Sequence, residues 1–408
     1  MRGSDSLGEE FVRLALAIDE HLPGYVDSYF GPESWKEEAK DAGKVPLEDL
    51  ARRAALLADG ISQTGDLDGQ RKDFLSRQVT AMQMSLRLLC GDKISLAEEV
   101  QAVYDVQPAW KDEANFEESH KALDQALPPG SSLRERLEQW KKSLEISLDK
   151  VKALLPYVTN TLRERTRKKF DLPEQESFIV EFVTDQPWMA YNWYQGEFRS
   201  RIEINLDEPL RIIDLPVLIA HEAYPGHHTE LVCKEQRLVR EMNYVEHLLT
   251  LINSPSCVIA EGIATSALET LFTDSELEDW YREDLLPRAG LTQADPQRIL
   301  EVGHAIKRGN GLWGNAVFML YDQKKPMEEI KSYLQKYGPH TEKEADHAIR
   351  FISDPLGGSY TFTYHIGYDL LAELFSQADR DTYFARLLQE PVTPSQVRQW
   401  IDSESRRA

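Results

Sequence analysis

Apolar residues recur at intervals of three and four along most of this chain, with charged residues between them. The stretches LEDLARRAALLADGIS (47–62) and SLRERLEQWKKSLEISLDKVKALL (132–155) both show the pattern. This spacing places the apolar side chains on one face of an amphipathic helix. The second stretch opens with Ser132 and, three residues later, Glu135, which predicts a capping box at a helix start. We therefore expect a mainly α-helical protein.

One segment, residues 177–205, departs from the helical pattern. Its sequence, SFIVEFVTDQPWMAYNWYQGEFRSRIEIN, is dense in Phe, Ile, Val, Tyr and Trp, and its last seven residues alternate between polar and apolar. These features predict two or three short strands with a turn near Gln195 and Gly196. The sequence thus predicts a helical region, 1–172, and a catalytic region, 173–408, with a small antiparallel or mixed sheet, packed as one globular unit around a cleft.

The composition narrows the classes of partner. The 47 basic and 69 acidic side chains give a formal net charge of −22, which disfavours nucleic acid and anionic membrane. Three cysteines without C-x-x-C spacing argue against a disulfide scaffold. No stretch reaches the roughly 20 apolar residues of a spanning helix, and a signal-peptide pattern is absent. We predict a cytoplasmic protein. The sequence does not indicate its oligomeric state.

The stretch HEAYPGHH, residues 221–228, carries the strongest chemical signal. In zinc peptidases with an H-E-x-x-H helix, two histidines one turn apart bind the ion, and the glutamate beside the first is the general base. His221 and Glu222 match the first half of this pattern, but Pro225 occupies the position of the second histidine. Because proline has no N–H and its ring clashes with the preceding turn, we expect the helix to break there.

The geometry of the break decides which later histidine binds metal. A widened turn at Y-P-G would place His227 where the second histidine normally lies. An unbroken helix would instead return His228 to the face of His221. We prefer His227 as the ligand and keep His228 as the alternative, either as a ligand or as a residue that contacts substrate.

A third ligand is expected on a helix packed against the motif. The stretch SPSCVIAEGIATSALETLF, residues 254–272, has only two charged residues, and small residues surround the first of them, Glu261. A carboxylate in an apolar helix needs a partner. One zinc ion bound by His221, His227 and Glu261 would be that partner, and Mn²⁺ or Co²⁺ suits the same ligand types. We expect one intervening helix, VEHLLTLI (245–252), between the motif and this stretch.

The motif, together with EGIA at residues 261–264, resembles a bacterial family of domains of unknown function marked by H-E-x-x-P-G-H-H and a later E-G-W-A. That family is placed among the zincin-like metallopeptidases, on the gluzincin side, and is mostly helical. WMAYNWYQGEFRSRIEIN, HAIRFISDPLGGSYTFTYHIGYDLL and HLPGYVDSYFGP are also similar to family members. The resemblance implies His221, His227 and Glu261 as zinc ligands and Glu222 as base. Ile263 departs from the family, because tryptophan is usual at its position.

The reaction also needs a group that stabilises an oxyanion. Tyr364 and His365 are our candidates, with Tyr360 and Tyr368 as weaker ones. Tyr364 could equally be a core aromatic residue whose hydroxyl is satisfied.

Substrate contacts are predicted in two places. Arg350 could bind a substrate carboxylate in a bidentate manner, as an exopeptidase requires, or could form an ordinary ion pair on a helix. In zinc peptidases a strand edge pairs with the extended substrate, and Tyr191 and Asn192 fit that position, although dense aromatics also suit a core.

The sequence therefore predicts a zinc metallohydrolase, most simply a peptidase that acts on short peptides. Two alternatives stay open: a zinc hydrolase of a non-peptide amide or ester, and a helical scaffold without catalysis. A small peptide or amide is the expected partner, with neither nucleic acid nor membrane.

Overall fold

The computed structural model describes residues 4–186, 188–354 and 356–407. The prediction of a mainly α-helical chain with a small sheet before the motif is confirmed. Ser132 and Glu135 form the expected capping box. The helices are α1 (Ser4–Asp19), α2 (Glu33–Ala42), α3 (Leu47–Gln63), α4 (Gly69–Leu89), α5 (Leu96–Tyr104), α6 (Glu113–Ala126), α7 (Leu133–Ser143), α8 (Leu148–Lys169), α9 (Asp214–Glu222), α10 (His227–Lys234), α11 (Pro255–Leu271), α12 (Asp274–Trp280), α13 (Leu286–Ala289), α14 (Pro296–Arg308), α15 (Leu312–Tyr321), α16 (Met327–Tyr337), α17 (Glu342–Ile352), α18 (Gly357–Gln377), α19 (Arg380–Gln389) and α20 (Pro394–Ser405).

The described residues also form five strands. They are β1 (Val26–Tyr29), β2 (Ser177–Val183), β3 (Ala190–Gly196), β4 (Arg199–Asn205) and β5 (Leu249–Leu251). Strands β2, β4 and β3 form a mixed sheet in that order, with β4 parallel to β2 and antiparallel to β3. The predicted strand segment and its turn are thus confirmed. Since β3 pairs with only one described strand, it forms an edge of the sheet.

A second, two-stranded sheet was not expected. Strand β1 pairs antiparallel with β5. The stretch VEHLLTLI, which we predicted as a helix, is a short 3-10 turn, Val245–Leu248, followed by β5. That prediction was wrong because the partner strand lies more than 200 residues earlier in the chain. A spacing of apolar residues over eight positions carries no information about so distant a partner.

The largest apolar core brings together distant parts of the chain. Leu154 and Val158 of α8 pack in one cluster with Ile219 of α9, Ile263 of α11 and Leu371 of α18. The cluster therefore includes residues on both sides of position 172, and the division of the chain there stays a prediction. Among the described residues, no helix combines the length and the apolar character that crossing a bilayer requires.

The backbones of helices α11 and α18 approach each other closely at two glycines. A Cβ atom added to Gly262 would lie 2.8 Å from the carbonyl oxygen of Gly367, and one added to Gly367 would lie 2.4 Å from that of Val258. Only glycine permits so close an approach of two backbones. This contact places Glu261 beside the face of α18 that carries Tyr360 and Tyr364.

Candidate metal centre

The motif helix breaks where the sequence predicts. Helix α9 ends at Glu222, and α10 begins at His227. Between them, the N–H of Gly226 donates to the carbonyl of Ala220 at 2.9 Å. A Cβ atom on Gly226 would lie 1.8 Å from the carbonyl oxygen of His221, so any other residue would clash with the backbone. The break turns the two histidine rings toward each other, with their centroids 4.8 Å apart.

Three predicted ligands converge at this break. Nε2 of His221 lies 3.6 Å from Oε2 of Glu261, and Nε2 of His227 lies 3.9 Å from Oε1. One ligand atom from each of the three residues lies within 4.8 Å of the others. Two ligand atoms on a tetrahedral zinc ion are about 3.4 Å apart when each bond is about 2.1 Å. The three side chains are therefore spaced to close around one ion with small movements.

The environment of Glu261 also fits a divalent cation. Its Oε1 accepts a hydrogen bond from the hydroxyl of Tyr360 at 2.6 Å, whereas Oε2 is buried and has no partner among the described residues. Burial raises the pKa of Glu261 to about 8 and lowers the pKa of His227 to about 4. The imidazoles are therefore neutral at pH 7 and offer lone pairs. A bound cation would provide the positive charge that a buried carboxylate needs as a partner.

Glu222 lies next to this cluster and lines the same cavity. Its side chain is buried, and burial, with the nearby charges of Glu261 and Asp27, raises its pKa well above the ordinary value. Its backbone carbonyl accepts a hydrogen bond from Nδ2 of Asn192 at 2.7 Å. A carboxylate whose pKa is raised is a stronger base, which suits a group that accepts a proton and then returns it.

Helix α18 presents tyrosines to the cavity. Tyr364 lines it, and burial together with the charges of Glu261 and Glu222 raises the pKa of its hydroxyl, which keeps its proton. The hydroxyl of Tyr368 lies farther along the helix and donates to Glu269 at 3.2 Å. His365 is not brought to the cavity, which corrects its predicted place in the site. It lies on a different face of α18 because consecutive helical residues are rotated by about 100°.

On its own face of α18, His365 is buried in a packed core. The ring of His365 lies 5.6 Å from that of Phe362, centroid to centroid, and a Cβ atom on Gly314 would lie 2.9 Å from it. Tyr360, the weaker candidate by sequence, is instead the residue that bonds to Glu261. Its spacing of four residues from Tyr364 was the only sequence signal for this contact.

The alternative ligand, His228, lies away from the three converging side chains. It is fully buried, with Nδ1 2.8 Å from Oγ of Ser200 and Nε2 3.2 Å from Oε2 of Glu176. This placement corrects its assignment as a metal ligand or substrate contact. Since α10 begins afresh at His227, the next residue points to another face of the helix.

The buried carboxylate of Glu176 is the centre of a hydrogen-bond network, here called the hub, that the sequence did not indicate. Besides His228, it accepts hydrogen bonds from the hydroxyl of Tyr224 at 2.5 Å, from Nε of Arg163 at 2.7 Å and from Nη2 of Arg167 at 3.0 Å. Burial alone would raise the pKa of Glu176, but these donors outweigh it and lower the pKa to about 2. Because Tyr224 and His228 lie on either side of the Pro-Gly turn, the hub holds both ends of the break.

The centre opens into a cavity of about 1090 Å³. Aromatic side chains form much of its wall, among them Trp188, Trp193 and Trp313, and its volume suits a small organic ligand. Tyr191 and Asn192, our candidates for substrate contact, both line it. The hydroxyl of Tyr191 donates to Asp27, a residue that the sequence did not single out.

Arg350 also lines the cavity. It is exposed, and its guanidinium makes no hydrogen bond or ion pair with the residues that the structure describes. The ion pair that we considered for it is therefore not formed, and the guanidinium is available to an acidic group of a ligand.

Comparison with known proteins identifies the fold alone. No family model matches the chain, and no curated protein matches it. The crystal structure of a "putative lipoprotein" from Colwellia psychrerythraea is similar with a TM-score of 0.53 and 13% identity, over 87% of this chain and 66% of that one. A "putative lipoprotein of unknown function" from Shewanella oneidensis is similar with a TM-score of 0.50 and 12% identity, over 90% and 75%. This chain thus spans just under two thirds of the Colwellia protein.

Proposed function

We propose that this protein is a zinc-dependent metallohydrolase that cleaves short peptides. The observation that supports this best is the convergence of two neutral imidazoles and one buried carboxylate, from His221, His227 and Glu261, beside Glu222 on a cavity wall. Three protein ligands of these types are typical of catalytic zinc sites, which keep a further position open. The resemblance of the motif to zincin-like metallopeptidases points to the same chemistry.

In the proposed reaction, His221, His227 and Glu261 would hold the ion, and Mn²⁺ or Co²⁺ would suit the same ligands. When bound, such an ion polarises a carbonyl group and increases the acidity of water. The carboxylate of Glu222 accepts a proton from the attacking water and delivers it to the leaving amine. The hydroxyl of Tyr364 donates a hydrogen bond to the developing oxyanion.

A zinc measurement combined with a peptide panel tests the proposal. We expect one zinc ion per chain and turnover of short peptides. Turnover of acyl-amino acids without cleavage of any peptide would favour the non-peptide hydrolase. Zinc well below one per fully folded chain would favour a scaffold without catalysis.

The first variant prediction concerns the base. Glu222→Gln should keep the metal and lose about 10²–10⁴-fold in kcat, because the amide cannot accept a proton. Glu269→Gln is the matched control: it makes the same change at a carboxylate that does not line the cavity and that is bonded to Tyr368. Peptide turnover and metal content are measured on both variants. Unchanged turnover in Glu222→Gln would remove Glu222 from this role.

We also propose a cytoplasmic location. The three cysteines are free thiols, and Cys90 is exposed, as suits a reducing compartment. The lipoprotein name of the two similar structures would favour a lipid-anchored protein instead. Fractionation of cells into cytosol and membranes, with detection of this chain, distinguishes the two locations.

A further inference from the structure

A β-bulge in the small sheet directs one carboxylate at the cavity. Val26 of β1 pairs with Leu251 of β5, but Ser28 pairs with Thr250, so Asp27 is an extra residue on β1. Bulges of this kind turn a side chain out of its regular alternation and are frequent next to active sites. Here the bulged residue lines the same cavity as the three candidate ligands.

Hydroxyl groups hold the carboxylate of Asp27 in place. The hydroxyl of Tyr191 donates to Oδ1, and Oγ1 of Thr250 donates to Oδ2 at 3.1 Å. Thr250 is itself fixed across the sheet by Oγ of Ser28 at 2.8 Å. Both oxygens are therefore oriented by neutral donors, and each retains a lone pair that can accept a further hydrogen bond.

Among the described residues, Asp27 lines this wall without a Lys or Arg partner, as do Glu222 and the candidate ligand Glu261, whereas two other acidic residues of the wall are paired with cations. Glu230 is paired with Lys234, and Glu246 is paired with Arg71 at 2.6 Å. No Lys, Arg or His of the described residues forms an ion pair with Asp27. Burial raises its pKa, although the hydrogen bonds from Tyr191 and Thr250 oppose the shift. A positive charge from a ligand would compensate this carboxylate.

Another acceptor among the described cavity-lining residues is also without a partner. Asn192 follows Tyr191 on β3, is 8% exposed and lines the cavity. Its Nδ2 is used by the carbonyl of Glu222, whereas its Oδ1 is buried and has no partner among the described residues. Asp and Glu also outnumber Lys and Arg among the described lining residues. The wall around Asp27 thus offers acceptors and negative charge to a donor that carries positive charge.

We infer that Asp27 binds a primary ammonium group of the substrate. The inference rests on the proposed hydrolase function and narrows its substrates to peptides that carry an amine, either at a free N-terminus or on a lysine side chain. The carboxylate of Asp27 offers negative charge and free acceptor lone pairs to the N–H donors of an ammonium group, whereas a ligand carboxylate in the same place would be repelled.

Calorimetric titration tests the inference without requiring turnover. The zinc-loaded Glu222→Gln protein is titrated with Phe-Ala and with 3-phenylpropanoyl-alanine, which lacks only the amine. We expect Phe-Ala to bind at least tenfold more tightly. The desamino analogue of Lys-Ala, which keeps the side-chain amine, distinguishes the two amine sources. Equal affinities for all three ligands, or no binding of any, would overturn the inference.

Charge variants identify the residue responsible. Introduced into the Glu222→Gln protein, Asp27→Asn should reduce the preference for the amine to less than threefold, and Asp27→Ser, a smaller uncharged residue, should do the same if the first variant does not fold. Asp185→Asn is the matched control, since it removes one charge from another lining residue and should leave the preference intact. A preference that persists in the Asp27 variants would overturn the assignment.

The outcome is separable from that of the proposed function. If the wild-type protein with zinc cleaves no peptide but the titrations show the amine preference and its loss at Asp27, the hydrolase proposal fails and the ammonium site stands. If peptides are cleaved equally with and without the amine and bind equally, the ammonium site fails and the hydrolase proposal stands.

Discussion

At the scale of single residues, two tyrosines one helical turn apart are placed for different tasks. Tyr360 donates its hydroxyl to Glu261, while Tyr364 faces the cavity beside Glu222 and Glu261. A residue that bonds to a metal ligand orients that ligand. A tyrosine that lines the cavity without bonding to a candidate ligand would act on the substrate in the proposed reaction.

Removing the hydroxyl of Tyr360 and removing that of Tyr364 should therefore affect different quantities. Tyr360→Phe should weaken zinc binding by about 10–100-fold, because outer partners of metal ligands contribute that much to affinity. Tyr364→Phe should lower kcat with the zinc affinity unchanged. Competition with a chelator measures zinc affinity, and Tyr368→Phe, which removes a hydroxyl bonded to Glu269, is the control. Equal zinc affinity in Tyr360→Phe and the control would contradict this assignment.

A second residue-scale prediction concerns the dependence of stability on pH. The pKa of Glu176 is lowered to about 2 in the folded chain and is about 4.3 in an unfolded one. Its contribution is therefore complete above about pH 4.3 and is lost as the pH falls toward 2. Glu176→Gln should lower the free energy of unfolding by about 2–3 kcal/mol at pH 7, and by progressively less below about pH 4.

Denaturant titrations of both proteins from pH 7 to pH 3 measure this difference. Glu174→Gln, an exposed neighbour in the same loop, is the control and should show almost no change at any pH. A destabilisation of Glu176→Gln that is constant from pH 7 to pH 3 would show that the charge of Glu176 is not the cause.

At the scale of elements, the break between α9 and α10 brings the rings of His221 and His227 together. Gly226 has an ordinary negative φ, so its necessity comes from the close approach to the carbonyl of His221. Gly226→Ala should therefore destabilise the protein by several kcal/mol through backbone displacement, and it should lose zinc because the two histidines separate.

An exposed helical glycine gives the comparison. A Cβ atom on Gly303 of α14 would contact nothing within 4 Å, so Gly303→Ala should stabilise the protein by about 0.5–1 kcal/mol. Thermal melts and zinc content are measured for both variants. A Gly226→Ala protein with unchanged zinc content would show that the turn tolerates a side chain and that its geometry is not required.

Local patterns account for how much of this architecture could be predicted. The helices, the strand segment and the broken motif depend on residues close together in the chain, and each was predicted from spacing or from Pro225 and its glycine. Strand β5, the hub at Glu176 and the bulge at Asp27 depend on partners far away in the chain. The turn at Pro225 already favoured His227 over His228 as the candidate ligand, whereas the contact of Tyr360 with Glu261 depends on the packing of α18 on α11.

At the scale of the whole molecule, the candidate centre joins segments from separate parts of the core. His221 and His227 lie on either side of the break, and Glu261 lies on α11, which packs against α18. A ligand that binds only the folded chain stabilises it, by about 2.7 kcal/mol at a concentration 100 times its Kd. Zinc should therefore raise the melting temperature of chelator-treated protein by several degrees.

This zinc-induced rise in melting temperature should require the three candidate ligands and should not require histidines elsewhere in the chain. His227→Ala should abolish it, whereas His304→Ala should retain it, because His304 is half exposed and lies beside Asp274. Differential scanning calorimetry with and without zinc measures both. A zinc-induced shift that survives His227→Ala would place the metal elsewhere in the molecule.

The close contact between α11 and α18 has a consequence for how this protein can change over evolution. A Cβ atom at Gly262 or Gly367 would meet a backbone carbonyl oxygen, which cannot move aside as the end of a side chain can. A methyl group added at either glycine would push the two helices apart and separate the carboxylate of Glu261 from the hydroxyl of Tyr360. In the proposed hydrolase this displacement would impair both stability and activity, so tolerance of substitution at these two glycines would report on selection for both.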